Sequence, residues 1–327
     1  MIMNADLCPC SSGKAYSKCC RPLHKGKLAE NALQLMRSRY SAYVLNLPDY
    51  IVATTHPANP QYLENKFSWK RNISQFSKKT TFHKLEVLDF KEKGNVASVV
   101  FTAFISESGK DATFTERSYF EKKTTLWLYR GGQLTQGHVP NLVTTDQLRL
   151  LPLAYFGDPI LTRKADPILE ITPDLHKLID EMVETMDACD GIGLAAPQIH
   201  HSIRLFIYRT PLLNKDGNLE TGEINVVINP LISLSSEETW KASEGCLSIP
   251  TIRSEVERPR EITIEYTSLE GEKITKCISE WEARVFMHEF DHIEGILFID
   301  RLDQEEKKRL SPILTNLEKR IHDRKAL

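Results

Sequence analysis

Apolar positions early in the chain recur at helical spacing and then change to strand-like alternation. Between Leu28 and Leu47, residues Ala32, Leu33, Leu35, Met36, Tyr40, Tyr43 and Val44 share one stripe, which predicts an amphipathic helix. Pro48 and then His56-Pro57-Ala58-Asn59-Pro60 punctuate it. Phe82–Phe90, Val96–Ile105, Thr113–Phe120 and Thr125–Tyr129 read as strands, with turns at Lys93-Gly94-Asn95, Glu107–Lys110 and Gly131-Gly132. Helices followed by an antiparallel meander predict an α+β domain, its helices on one face of a curved sheet.

The second half repeats the alternation. Thr172-Pro173-Asp174 opens a helix whose inward face is Leu175, Leu178, Ile179, Met182, Val183 and Met186. Strands are expected at Ile203–Tyr208 and at Asn225–Asn229, the latter ending at Pro230. ITIEYTSLEGEKITKCI reads as a hairpin turning at Leu269–Glu272. Pro312 argues against one unbroken helix from Glu305 onward. Ser311 is therefore expected to cap a last helix, with Ile313, Leu314, Leu317 and Ile321 inward.

Length adds that 327 residues suffice for about two domains. Hydrophobic content of 41% and charged content of 26% suit a soluble globular protein. No apolar run approaches the roughly 20 residues of a membrane helix, so no membrane partner is expected. MIMNADLCPC lacks the regions of a signal peptide, which makes the cytoplasm the expected compartment. Charge is uneven. Residues 1–150 hold 21 Lys+Arg and 12 Asp+Glu, 21 − 12 = +9, and residues 151–327 hold 21 and 32, 21 − 32 = −11. The asymmetry fits two domains with different surfaces that attract each other, or a basic half that meets an anionic partner such as RNA or a ribosome surface, with no specific nucleic-acid sequence implied.

Two stretches carry candidate chemistry. Cys8, Cys10, Cys19 and Cys20 crowd around the turn Ser11-Ser12-Gly13, and four thiolates so grouped can close a tetrahedral zinc site. Near the other end, His288 and His292 in MHEFDH lie one helical turn apart and can grip one metal ion. Glu289 stands beside them as a base. Cys246, in KASEGCLSIP, competes with Cys189 and Cys277 for the missing third ligand. GIGLAAPQ, residues 191–198, brings backbone close to a ligand or a packed helix. His56, His83 and His138 are expected to be structural or exposed, and Arg37 and Arg39 to form a helix-to-sheet ion pair.

The spacing C-x-C-x8-C-C resembles the SEC-C motif, a zinc-binding knuckle, with Ser11 where that motif usually has Gly. With LMRSRYSAYV and ERSYF, residues 5–135 resemble the YchJ-type family, which joins this knuckle to a cone-shaped domain like nuclear transport factors. That resemblance implies a zinc-binding and partner-binding module without established chemistry. GIGLAAPQ, EGCLS and HEFDH, in this order, resemble peptide deformylase from about Leu153 to the last helix. The implied organisation is a knuckle at 1–24, a nuclear-transport-factor-like domain at 25–140, a linker at 141–150 and a deformylase domain at 151–327.

The deformylase resemblance implies an α+β fold around a central HEFDH helix and hydrolysis of formyl-methionyl nascent peptides to formate and a free amine. It makes Cys246, His288 and His292 the ligands of one ferrous ion, which zinc, nickel or cobalt can replace. Glu289 becomes the acid–base, and Gln198 with the Leu247 N–H the oxyanion donors. Substrate is expected along Gly193 and Leu247–Ile249, with Ile192, Val285 and Phe286 around its methionine. Met287 departs from the family's usual Gln and Glu257 from its usual Pro, so the loop Arg253–Arg258 is expected to sit differently. Arg258 is a candidate to orient Glu244. Basic residues Lys307, Lys308, Arg309, Lys319, Arg320, Arg324 and Lys325 are candidates for ribosome contact.

Two other classes compete. One is a non-catalytic adaptor on a deformylase scaffold, which requires damaged chemistry, whereas Gln198, Cys246, His288, Glu289 and His292 are all intact. The other is an HExxH zinc endopeptidase, whose downstream ligand run is broken here, because Gly295 is followed by Phe298 where a histidine is needed.

Overall fold

The structure, a computed structural model, describes residues 7–59, 61–63, 65–140, 150–213 and 219–322. The chain forms two compact units, residues 1–148 and 149–326. Nearly all of the expected linker, like Arg324 and Lys325, lies outside the described residues, as does the side chain of Arg320.

The first unit opens with the cysteine knuckle and a short helix α1 (Arg21–His24), followed by α2 (Ala32–Val44), α3 (Pro48–Ala53) and α4 (Lys66–Lys79). Asn31 caps α2 by accepting the Gln34 N–H at 2.8 Å, so the helix starts at Ala32, the first residue of its apolar stripe, and not at Leu28. Helix α2 ends before Pro48, as expected, and Pro48 then occupies the first turn of α3, where its missing N–H costs nothing. Helix α4 was not expected. It buries only Trp69 and Ile73, too few apolar positions to register as a stripe. Five antiparallel strands follow: β1 (Thr80–Lys93), β2 (Val96–Glu107), β3 (Lys110–Asp111), β4 (Phe114–Lys123) and β5 (Leu126–Gln136), in the order β1-β2-β4-β5 with β3 beside β2. Gly131-Gly132 is no turn; β5 runs through it, with a bulge at Arg130 opposite the step from Tyr119 to Phe120. Gly132 leaves room for Glu116, whose Oε1 would lie 2.3 Å from any Cβ there.

The knuckle is not a separate bead. Cys8, Cys10 and Cys20 pack in one core with Leu23, Leu35, Met36 and Leu85. Ser11 adopts a left-handed φ of 57°, and its Oγ accepts the Leu85 N–H at 3.0 Å, which ties the knuckle to β1. Arg37 donates to the Cys10 carbonyl at 2.8 Å. Arg39 donates to the Ile51 carbonyl and to Thr54 and Thr55, and its guanidinium stacks on Tyr129. These contacts stand in place of the expected helix-to-sheet ion pair.

In the second unit, Thr172 caps α5 (Pro173–Ala188), which buries Leu175, Ile179, Met182 and Met186. Strands β6 (Gly193–Ala195), β7 (Leu205–Leu213), β8 (Leu219–Ser235), β9 (Thr239–Cys246), β10 (Ile249–Pro259), β11 (Glu261–Thr267) and β12 (Lys273–Ser279) follow. They form a sheet β12-β11-β8-β7-β6 and a separate β9-β10 hairpin, all antiparallel. Strand β8 does not end at Pro230. Asn229 turns left-handed, the pairing with β11 shifts there, and the strand resumes. Residues 253–258 are strand β10 rather than a loop, alternating buried and exposed side chains.

Helix α6 (Glu280–Ile293) lies at the centre, with Glu280 and Glu282 in the first turn, where the helix dipole favours acids. Its Ala283, Phe286, Met287 and Ile293 pack on Phe206, Val227 and Ile264 of the sheet. Helix α7 (Gln304–His322) is continuous through Pro312, contrary to expectation. The proline faces solvent, where water can satisfy the carbonyl freed one turn earlier. Leu310, Leu317 and Ile321 are its buried residues, while Ile313 is exposed.

Candidate active site

Three segments far apart in sequence meet on the polar face of α6. His288 and His292 project from that helix, Cys246 stands at the end of β9, and Gln198 sits in a 3-10 turn directly after β6. Cys246 Sγ and one ring nitrogen of each histidine lie within 4.8 Å of one another. Cys246 Sγ is 3.2 Å from His292 Nε2. Cys189 and Cys277 are not part of this group.

Each member is held by a second contact. His288 Nδ1 bonds to Glu244 Oε2 at 3.0 Å, which leaves Nε2 for the centre. The Gln198 side chain accepts the Ala195 N–H at 2.8 Å, so its amide nitrogen points at Cys246 Sγ, 3.5 Å away, and at Ser248 Oγ, 3.2 Å away. Leu247 and Ser248 make the two-residue turn between β9 and β10, fastened by the Phe156 N–H to the Ser248 carbonyl at 2.8 Å. Glu289 is buried, and its Oε1 would lie 2.3 Å from a Cβ at position 193, so any side chain there would have to displace the carboxylate.

Electrostatics favour a ligand set. Burial opposes ionisation of Cys246, yet His292 and His288 hold its thiol well below the usual range, toward thiolate. Burial likewise opposes the Glu244 carboxylate, but Arg258 and His288 keep it ionised far below the ordinary range. Burial pushes the Glu289 carboxyl up to about 7. Glu289 Oε2 and His292 Nδ1 are buried without a protein partner among the described residues. A thiolate and two imidazoles converging on one point are the donors of a tetrahedral ion with one position left open. The residues fit a metal.

Of the expected substrate residues, Gly193 borders Glu289, and Ile249 is fully buried beside the turn. Ile192 packs against the core that contains Val285 and Phe286. The Phe286 ring lies edge-on to Phe206 at 5.0 Å and has no exposed surface. Met287 fills the same core. Arg258 clasps Glu244 with two hydrogen bonds and reaches Asp291 with a third, at 2.6, 2.9 and 2.9 Å. Sequence reasoning passed over Arg284 and Asp291; charged residues among the apolar positions of α6 were the available signal.

At the other end, the four Sγ atoms of Cys8, Cys10, Cys19 and Cys20 lie within 4.8 Å of one another. Ser12 Oγ is 3.2 Å from Cys19 Sγ, and Ser41 Oγ is 3.4 Å from Cys20 Sγ. This donor set also fits a metal.

A His2Cys centre with a buried carboxylate beside it is that of a metal-dependent hydrolase. Residues 150–308 match the polypeptide deformylase family, residues 31–132 the middle, NTF2-like domain of YchJ, and residues 5–22 the SEC-C motif. A peptide deformylase of Christiangramia forsetii is 42% identical over 177 residues, 52% of this chain and 90% of that protein. One of Thermotoga petrophila is 40% identical over 166 residues, 51% of this chain and 95% of that protein. A solved class I type b peptide deformylase of Acinetobacter baumannii is 35% identical, covering 47% of this chain and 98% of that one with a TM-score of 0.44. The chain belongs to the peptide deformylase family, whose reaction removes the formyl group from the N-terminal methionine of nascent polypeptides.

Proposed function

We propose that the second unit performs this hydrolysis with Cys246, His288 and His292 holding one divalent ion, natively ferrous iron. When bound, that ion polarises the formyl carbonyl and makes water acidic enough to attack at neutral pH. Glu289 takes the proton of the attacking water and returns it to the departing amide nitrogen. The Gln198 amide and the Leu247 N–H stabilise the negative charge that develops on the formyl oxygen. Gln198 needs no rearrangement for this, because the Ala195 N–H already fixes its orientation. The substrate backbone adds as a strand along Gly193 and Leu247–Ile249, with its methionine near Ile192 and Val285, while Phe286, expected beside them, is fully buried and supports this wall from within the core.

One observation carries the reading: a thiolate, two imidazoles, a buried carboxylate and an amide donor converge from β9, α6 and the turn after β6. The test is formate release from formyl-Met-Ala-Ser under anaerobic conditions. Glu289→Ala should lower turnover by at least about 100-fold while keeping its metal. Absence of turnover with iron, zinc, nickel and cobalt each loaded in turn overturns the proposal.

The cysteine knuckle holds zinc in this reading, so an anaerobic metal count should give one iron and one zinc per chain. The first unit serves as a basic adaptor that brings the enzyme to nascent chains on the ribosome, aided by the basic residues of α7. We place the enzyme in the cytoplasm: none of the seven cysteines forms a disulfide, and five of them serve as metal ligands in this reading, as suits a reducing compartment. No helix among the described residues is long and apolar enough to cross a membrane. Removing residues 1–140 should leave small-peptide turnover intact and weaken ribosome co-sedimentation; unchanged co-sedimentation counts against the adaptor role.

A further inference from the structure

Behind the three candidate ligands runs a chain of buried charges. Glu244, Arg258, Arg284 and Asp291 are all nearly inaccessible, with Arg284 only 2% exposed. Arg258 bridges the two carboxylates, and the half-exposed Arg301 pairs with the far side of Asp291. Arg284 lies one helical turn before His288 on α6, and the Trp240 ring stacks beneath its guanidinium at 4.4 Å. Its Nη1 donates to Glu244 Oε1 at 2.6 Å and to the Val256 carbonyl at 2.9 Å, and its Nη2 donates to the Trp240 carbonyl at 2.8 Å.

Glu244 therefore has all four lone-pair positions engaged. Oε1 accepts from Arg258 Nε and Arg284 Nη1, and Oε2 accepts from Arg258 Nη2 and His288 Nδ1. Arg258 alone ties the carboxylate to β10. Arg284 ties it to the helix that carries His288, so the acceptor and the imidazole it orients are referenced to the same rigid element. The two buried acids and two buried arginines also sum to zero charge, a balance that fails without Arg284.

We infer that Arg284 is a positioning residue for the metal centre: by fixing Glu244 it sets the ring orientation of His288, and through it the tightness of metal binding. This rests on the reading that Cys246, His288 and His292 hold the ion. Outer contacts of this kind change metal affinity on the order of 10- to 100-fold when removed.

The test uses the full chain loaded with nickel at the His2Cys site and zinc at the knuckle. Protein-bound metal is counted after timed dialysis against a chelator, with the knuckle zinc as internal standard. Arg284→Met should lose nickel about 10–100-fold faster than the parent at unchanged zinc, and Arg284→Lys, with the charge but not the planar fork, should fall between. In a Glu244→Ala background, Arg284→Met should add no further loss. Nickel retention in Arg284→Met within about twofold of the parent overturns the inference, and so does an equal added loss in the Glu244→Ala background. If Arg284→Met does not fold, the Lys variant carries the comparison by the same readout, and parental retention there overturns the inference. A parent chain that binds no nickel overturns the site reading itself, and the inference with it.

Discussion

Gly193 and Glu289 approach so closely that a side chain at position 193 would have to push the carboxylate aside. The Glu289 Oε1 atom would stand 2.3 Å from a Cβ on residue 193. This single approach joins GIGLAAPQ to HEFDH, and it explains why α6 can press the Glu289 carboxylate against the edge strand β6. Gly193→Ala should displace that carboxylate by about 1 Å and lower kcat/KM for a formyl peptide on the order of 100-fold, with bound metal unchanged. Steady-state kinetics with a parallel metal count checks this. An alanine variant of parental activity would show that Glu289 need not hold its position.

Breaking the buried ion chain should cost stability as well as function. Arg258→Leu leaves Glu244 and Asp291 buried with fewer partners, and loss of one partner of a buried pair costs about 3–5 kcal/mol. Urea unfolding of parent and variant, followed through the second unit, should show this shift in midpoint.

The knuckle shares its core with α2 and β1, so metal loss should be felt beyond the first twenty residues. Cys10→Ser, at a fully buried position, should lower the thermal midpoint of the first unit and expose apolar surface to a hydrophobic dye. Deformylation of a small peptide should continue. A knuckle variant with unchanged melting of the first unit would mean the knuckle is an appendage after all.

His56 supplies a pH dependence. It is buried, its Nδ1 accepts the Ala58 N–H at 3.0 Å, and burial, followed by Arg130 and Lys123, holds its pKa well below the usual value. The unfolded chain binds a proton near pH 6.5 while the folded one does not, so stability is full above that pH and falls as pH drops below it. The slope approaches about 1.4 kcal/mol per pH unit for one proton. His56→Gln should flatten this part of the profile between pH 6.5 and 5, read from urea midpoints of the first unit at each pH.

Local periodicity and spacing by themselves determined much of this protein. Strands β1, β2, β4 and β5 are legible as runs of β-branched and aromatic residues between turn signals, β2 being buried over eight successive residues. The apolar stripes of α2 and α5 and the hairpin β11-β12 are legible because neighbours three, four or two residues apart share a face. The clustered cysteines and the His288/His292 pair are legible for the same reason. Where local rules compete, the fold decided. Pro312 can open a helix or sit on the wet side of a longer one, and only the packing of Leu310 and Leu317 on either side makes α7 continuous. Gly131-Gly132 can turn or run straight, and the Glu116 side chain over Gly132 favours the strand. The bond from Glu244 to His288, the second clasp from Arg284 and the approach of Gly193 to Glu289 join residues that are 44, 40 and about 100 positions apart. No periodicity records such distances. They arise because α6 is buried on nearly every side, so each polar group on it must find its partner from whichever strand the tertiary fold lays alongside.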